Sequence, residues 1–391
     1  MTTFIHTADW QLGKPFSRVD DPDGQALLRQ ERLSAIDRIG EVARERQASF
    51  IVVAGDVFDS HLPPPRLIST ALERVGQLPV PVYIIPGNHD YGGPGSLWLS
   101  DHIQREQQAL APNLTVLLHA EPLERDDAIL LPCPLQHKKA ATDPTAWLRE
   151  LDIAAFDDRP RIVLAHGSTV NFQAEVDSED EPGQANFINL ERLTPLLPEI
   201  DYIALGDWHG FVQAGEKAWY AGSHETDRFP KTDQRPGHVA LVDVRRGGSP
   251  QVEAVPIGTV RWIEHSETFV ASAGPGQLNT SLERLRGDAG SKLMLKLHLD
   301  GHLSLEGQAA LQSILATWAA RTIHLRVDNQ VALQPSDDEL AALTTRSDDP
   351  LISGVAQSLT EALAAEGEEA ELAAIALTLL HQHVRQLEAT A

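Results

Sequence analysis

Five short polar clusters stand out in the sequence: Asp9-Trp10-Gln11, Gly55-Asp56-Val57-Phe58-Asp59, Gly87-Asn88-His89-Asp90, His166-Gly167 and Gly206-Asp207-Trp208-His209. Carboxylate oxygen, amide oxygen and imidazole nitrogen are the donors taken by hard-to-borderline divalent cations. A carboxylate has two oxygens, so one Asp can serve two cations. Two cations roughly 3.5–4 Å apart clamp a phosphate, lower the pKa of a bound water and stabilise the leaving oxygen of an in-line displacement. The chemistry indicated is phosphoester hydrolysis. One Asp after a strand is more often a helix cap, but five such clusters in a single chain point to a shared site.

The clusters need strands to carry them. Phe4–Thr7, Phe50–Ala54, Val82–Ile85, Ile162–Ala165 and Tyr202–Leu205 are short runs rich in β-branched and aromatic residues, each with a polar cluster near its carboxyl end. Between the first two, Leu33, Ile36, Ile39 and Ala43 recur at helical spacing within Arg29–Arg46. This β–α–β order predicts an α/β sheet that binds its ligand beyond the strand ends. Trp219–Ala221, His238–Val244 and Val252–Pro256 add strands without long helices between them, so the sheet is expected to become mixed or double.

From about Trp262 the pattern changes. Strand-like Lys292–Leu299, helical Ser304–Ala319 and strand-like Thr322–Val327 predict a small α/β module. Two amphipathic helices follow, with stripes Leu351, Ile352, Val355, Leu359, Leu363 and Leu372, Ile375, Leu379, Leu380, Leu387. Self-packing and partner docking both suit these stripes. The expected division is 1–262, 263–345 and 346–391, and the segment Asp177–Gly183 reads as an exposed acidic loop.

The 391 residues carry 32 Lys+Arg against 56 Asp+Glu, a formal charge of −24. Bulk attraction to nucleic acid or to an anionic membrane is therefore excluded as a driving force. Cys133 is the only cysteine, which rules out an intramolecular disulfide or a cysteine cluster on metal and suits a reducing cytoplasm. No basic stretch followed by an apolar one opens the chain, and no run of about 18 apolar residues follows, so neither secretion nor membrane spanning is expected.

DWQLG, GDVFD, GNHD, the lone His166 and GDWHG, in this order, resemble the five motifs of the calcineurin-like binuclear metallophosphoesterases. IHTADWQLGK, VVAGDVFD, DYIALGDWHG and WYAGSHETDRF resemble more narrowly the DNA-repair nuclease branch, the SbcD-type subunits of SMC-like nuclease complexes. The likeness covers about residues 1–262. It implies a double β-sheet sandwich flanked by helices, followed by an α/β cap and C-terminal helices. It also implies one cation held by Asp9, Gln11, Asp56 and His209, a second held by Asp56, Asn88, His166 and Asp207, and Asp56 as the bridge. His89 would face the scissile phosphate and protonate or polarise the leaving oxygen, oriented by Asp90 or Asp59. The implied activity is metal-dependent DNA hydrolysis, with exonuclease and endonuclease both open. An SbcC-type ATPase is the implied partner; homodimer formation is left open.

Two positions depart from that pattern: Gln11 and Asp207 stand where the family has histidines. Oxygen donors in place of imidazole favour manganese, with magnesium as the alternative, over zinc. Gln11 either ligates or hydrogen-bonds a metal-bound water; Asp207 either ligates or acts behind the ligands. His224 and Arg228 of GSHETDR are candidates for phosphate contact, with a structural ion pair as the plain alternative for Arg228. A phosphatase or nucleotide phosphodiesterase of the same superfamily is the alternative activity. The two replacements also leave room for a scaffold subunit with an impaired site. With −15 on residues 1–265 and −9 on residues 266–391, DNA affinity without a partner should be weak and salt-dependent.

Overall fold

The computed structural model describes residues 1–172, 186–229, 235–364 and 367–390. The acidic segment 177–183 lies outside them. The chain divides into two compact units, Met1–Val260 and Arg261–Ala391.

In the first unit the elements run β1 (Thr2–Thr7), α1 (Pro22–Glu45), β2 (Ile51–Ala54), α2 (Pro65–Gly76), β3 (Val82–Ile85), α3 (Asp101–Leu110), β4 (Leu114–Val116), β5 (Leu123–Glu124), β6 (Ile129–Cys133), β7 (Arg161–His166), β8 (Tyr202–Gly206), β9 (Val212–Gln213), β10 (Ala218–Tyr220), β11 (His238–Val244) and β12 (Gln251–Pro256). They form two mixed sheets, ordered β12-β11-β1-β2-β3-β4 and β5-β6-β7-β8-β10-β9. Strands β1 to β4 are mutually parallel, as are β6, β7, β8 and β10. β11 returns antiparallel to β1, with Thr2 opposite Val244.

Strand side chains alternate between faces, and both faces of each sheet are covered. On the inner face Phe4, Phe50, Val52, Ala54 and Ile85 of the first sheet pack with Ile162, Leu164, Tyr202 and Ala204 of the second. Ile5, Ile51, Val53 and Ile84 point the other way, onto Leu33, Ile36 and Ile39 of α1 and Ile68, Leu72 and Val75 of α2. Burial on both sides explains why these strands read as continuous apolar runs rather than alternating ones. Each such side chain, taken fully from water, contributes about 1.5–3 kcal/mol. Helix α1 begins at Asp21, whose carboxylate accepts from the amides of Asp23 and Gly24, with Pro22 as the first helical residue.

The second unit contains β13 (Arg261–Phe269), α4 (Gly276–Arg286), β14 (Leu293–Leu303), α5 (Leu305–Arg321), β15 (His324–Asn329), β16 (Ala332–Leu333), α6 (Asp337–Thr344), α7 (Pro350–Leu363) and α8 (Glu368–Thr390). β13, β14 and β15 are parallel neighbours. Their core joins Leu295, Leu297 and Leu299 to Leu278 and Leu282 of α4 and Leu311 and Trp318 of α5. Helices α6 to α8 gather around Leu305, Leu343, Ala356, Leu377 and Val384, with Ile352, Leu359, Leu363 and Leu380 beside them. The expected apolar stripes are thus only half used: Leu351, Val355, Leu372, Ile375, Leu379 and Leu387 are exposed. Among the described residues no helix is long and apolar enough to cross a membrane.

Candidate metal centre

The five polar clusters follow β1, β2, β3, β7 and β8, and the parallel strand pairing brings those ends together. The segments after β1 and β2 run side by side: the amides of Asp9, Gln11 and Leu12 donate to the carbonyls of Gly55 (3.1 Å), Asp56 (2.8 Å) and Val57 (2.9 Å). Asp9, Gln11, Asp56 and Asp207 all have positive φ, at 53°, 39°, 56° and 104°. Non-glycine residues avoid this region, Asp and Asn least strongly, and backbone strain of this kind collects where side chains must be aimed. Two glycines permit the sheets to meet. A Cβ on Gly55 would sit 2.3 Å from Nδ1 of His166, and one on Gly206 would sit 1.9 Å from the Ala54 carbonyl oxygen.

Donor atoms of Asp9, Asp56 and His166, all buried, lie within 4.8 Å of one another. Nε2 of His166 is 2.8 Å from Oδ1 of Asn88, 3.5 Å from Oδ1 of Asp56 and 3.8 Å from Oδ1 of Asp207. The amide of Asp207 donates to both oxygens of Asp9, and Oγ of Ser168 donates to Oδ2 of Asp207 at 2.6 Å. His89 stands at the edge, its side chain one-third exposed, with its amide donating to Oδ1 of Asp56 (2.9 Å) and its Nε2 3.9 Å from Oδ2. Asp9, Asp56, Asn88, His89, His166 and Asp207 therefore share one site.

Burial and the charges of Asp56 and Asp207 drive the Asp9 carboxyl well above the usual range, against the pull of His166. Burial would raise Asp56 too, but His166 and His89 together hold it below its ordinary value. For His166 burial opposes protonation, yet Asp56, Asp9 and Asp207 push it up to about 9. His89 is raised chiefly by Asp56.

The donor set suits a cation. Nδ1 of His166 lies 2.8 Å from the Ala54 carbonyl and must carry hydrogen to bond it. A neutral ring would then turn the lone pair of Nε2 toward Asn88 Oδ1 and Asp56, acceptor facing acceptors, an arrangement that a proton or a metal cation reconciles. Three clustered carboxylates with amide and imidazole donors make a hard-to-borderline set suited to a divalent cation.

His209 is oriented by a residue that the sequence did not mark. Its Nδ1 lies 3.0 Å from Oδ2 of the buried Asp227, the usual way a metal-ligating imidazole is fixed. Asp227 is held far below its ordinary value: burial works against ionisation, but His209, Lys14 and Arg228 outweigh it. Arg228 lies beside this pair, with Nε 3.2 Å from Oδ1 of Asp227 and Nη2 3.1 Å from Nδ1 of His209. Asp227 lies in the same GSHETDR segment as His224 and Arg228, and a lone Asp in a loop carries no signal of such a role.

Two expectations require correction. His224 does not face a substrate: it is wholly buried against Trp10, its Nε2 2.8 Å from the carbonyl of Arg32. Asp90 does not orient His89, because its carboxylate accepts from the amides of Gly87, Val57 and Phe58 and so ties the β2 and β3 loops together. Burial, helped by the charge of Asp56, lifts this carboxyl to about 7. Asp59, the alternative residue for orienting His89, does meet it, through its carbonyl, 2.7 Å from Nδ1. Gln11, whose amide donates to the Asp56 carbonyl, has its Oε1 accepting from Nζ of Lys14 at 2.9 Å.

Arg32, on α1, was also not foreseen. Wholly buried, it donates to the carbonyls of Asp9 (2.9 Å), Trp10 (2.8 Å) and Glu225 (3.0 Å) and to Ser223 Oγ (3.1 Å), clamping the β1 loop from behind.

A family model described as calcineurin-like phosphoesterase matches residues 2–242. Among solved structures, TT1561 of Thermus thermophilus is 14% identical, with a TM-score of 0.41, over 66% of this chain and 99% of that one. A dimetal phosphatase from Danio rerio is 12% identical, with a TM-score of 0.36, over 64% of this chain and 98% of that one. Such distant likenesses carry nothing about substrate. The family match spans well over half of the sequence and takes in every strand end that contributes to the centre, and on that ground the chain belongs to the calcineurin-like phosphoesterases, metal-dependent hydrolases that usually hold two divalent cations.

Proposed function

We propose that the chain hydrolyses phosphodiester bonds in DNA, with manganese or magnesium as the cations and a partner ATPase of the SbcC type. The observation that carries the hydrolytic reading is the convergence of Asp9, Asp56, Asn88, His166 and Asp207 on one buried cluster, with His89 at its edge. The DNA reading rests on the likeness of IHTADWQLGK, VVAGDVFD, DYIALGDWHG and WYAGSHETDRF to the repair-nuclease branch.

When bound, two divalent cations would supply the Lewis acidity that activates water and neutralises charge on the phosphate. Asp56, with Oδ1 facing His166 and Oδ2 facing His89, would be shared between them. Asn88, His166 and Asp207 would hold one cation; Asp9 and His209 would hold the other. His89 bonds the Asp59 carbonyl through Nδ1, which leaves Nε2 on the side of Asp56 to deliver a proton to the leaving oxygen. Residues 1–262 would carry catalysis, 263–345 a cap, and 346–391 a surface for the partner. The net charge of −24 argues that the partner supplies most of the grip on DNA.

Parallel assays decide the matter: nitrophenyl phosphate, its bis-ester, end-labelled linear DNA and circular DNA, each with manganese and with magnesium. Cleavage of the diester and of DNA supports the nuclease. Turnover confined to the monoester establishes a phosphatase instead. The bond between Gln11 and Lys14 favours a second reading, a scaffold subunit whose site is impaired. No cleavage of any substrate, with or without the partner, would select it.

A further inference from the structure

The two cation positions of the proposed centre are not equally furnished. Oδ1 of Asn88 and a carboxylate oxygen each of Asp56 and Asp207 already lie within 3.8 Å of Nε2 of His166. The other position should draw on Asp9, Asp56, His209 and Gln11, but Gln11 is engaged elsewhere. Its Oε1 takes a hydrogen bond from Nζ of Lys14, which also pairs with Oδ2 of buried Asp227 at 3.2 Å. Asp227 is anchored in turn by His209 and Arg228. A charge-assisted bond of this sort is stronger than one between neutral groups. To ligate, Gln11 would have to give it up and bring a dication beside an ammonium.

We propose that Lys14 is a positioning residue that withholds Gln11 from the metal, so that the two cations bind unequally, first and tightly at Asn88, His166 and Asp207 with Asp56, then weakly at Asp9 and His209 with Asp56. This inference rests on the two-cation reading above. The chain thereby carries a centre whose second cation is in exchange with the medium.

Calorimetric titration of the metal-stripped full chain with manganese, checked by metal analysis of the equilibrated protein, tests it. The wild type should show two steps separated by about tenfold or more in Kd. Gln11→Ala, and Gln11→Asn, which tolerates the left-handed backbone better, should leave both steps within about twofold, since no ligand is lost; the reference is the cost of about tenfold or more for removing even a group that only hydrogen-bonds a ligand. Lys14→Met should tighten the weak step by roughly tenfold and spare the tight one. Adding Gln11→Ala to Lys14→Met should abolish most of that gain, because the gain requires a released amide oxygen. Two equal wild-type steps, a weaker step in either Gln11 variant, or a gain that survives in the double variant would each overturn the role of Lys14. If the wild type shows one step only, a second step appearing in Lys14→Met supports the proposal and its failure to appear refutes it. A wild type that binds no manganese would defeat the two-cation reading itself.

Discussion

The amide of Asp207, at the end of β8, points at the carboxylate of Asp9, beyond the end of β1, 3.0 Å from one oxygen and 3.2 Å from the other. The bond joins the two sheets at the site. Asp9→Asn keeps an acceptor for that amide and tolerates φ of 53°, so it should fold as the wild type does while losing manganese affinity by at least roughly tenfold. Asp9→Ala loses the acceptor as well and should melt lower, by about 1–3 kcal/mol. Calorimetry with manganese and thermal melting separate the two losses; undiminished affinity in Asp9→Asn would remove Asp9 from the ligand set.

On the proposed reading His89 acts on the substrate rather than on the cations. His89→Ala should retain metal content and lower kcat on a diester by roughly 10²–10⁴. A variant that loses its metal, or one with unchanged kcat, contradicts this role.

Gly206→Ala should be poorly tolerated, because the new Cβ lands 1.9 Å from the carbonyl oxygen of Ala54 and 2.7 Å from Nδ1 of His166. Relief requires the sheets to part, at a cost of about 1–3 kcal/mol or more, and manganese affinity should fall with it. Gly354, inside α7, has no atom within 4 Å of its would-be Cβ. Gly354→Ala should stabilise by about 1 kcal/mol. Denaturant melts of both variants check the contrast, and equal shifts would refute it.

His6 predicts a pH response unrelated to the metals. Wholly buried between the Tyr202 hydroxyl (2.9 Å) and the Leu205 carbonyl (3.2 Å), it has its pKa lowered by burial from 6.5 to about 3. The unfolded chain therefore takes the proton first on acidification. The contribution of His6 is complete above pH 6.5 and is lost as pH falls toward 3, at about 1.4 kcal/mol per pH unit. His6→Gln should flatten the fall in stability between pH 6.5 and 5; an identical slope would show that another group is responsible.

Much of this site could be read from residue order. Buried parallel strands leave apolar runs such as Phe50–Ala54, and the Asp, Asn and His that follow them have few structural reasons to be there. What stayed hidden depends on contacts between distant residues. Nothing local to His224 tells that Trp10 and the carbonyl of Arg32 enclose it, and GNHD alone does not show that Asp90 spends its oxygens on three amides. Lys14 and Asp227 are 213 positions apart, so their pairing, which decides what Gln11 does, has no signature in spacing. The return of β11 to the free side of β1 was equally illegible, since an apolar strand does not name its neighbour.

Half of the proposed donors ride on one sheet and half on the other: Asp9, Asp56 and Asn88 extend from β1, β2 and β3, while His166, Asp207 and His209 extend from β7 and β8. If these residues hold the cations, occupancy and sandwich cohesion form a single linked equilibrium. Chelators ought to behave as mild denaturants of this unit, unzipping it from the rim inward, and amide exchange along the facing strands would register how firmly the clasp is shut.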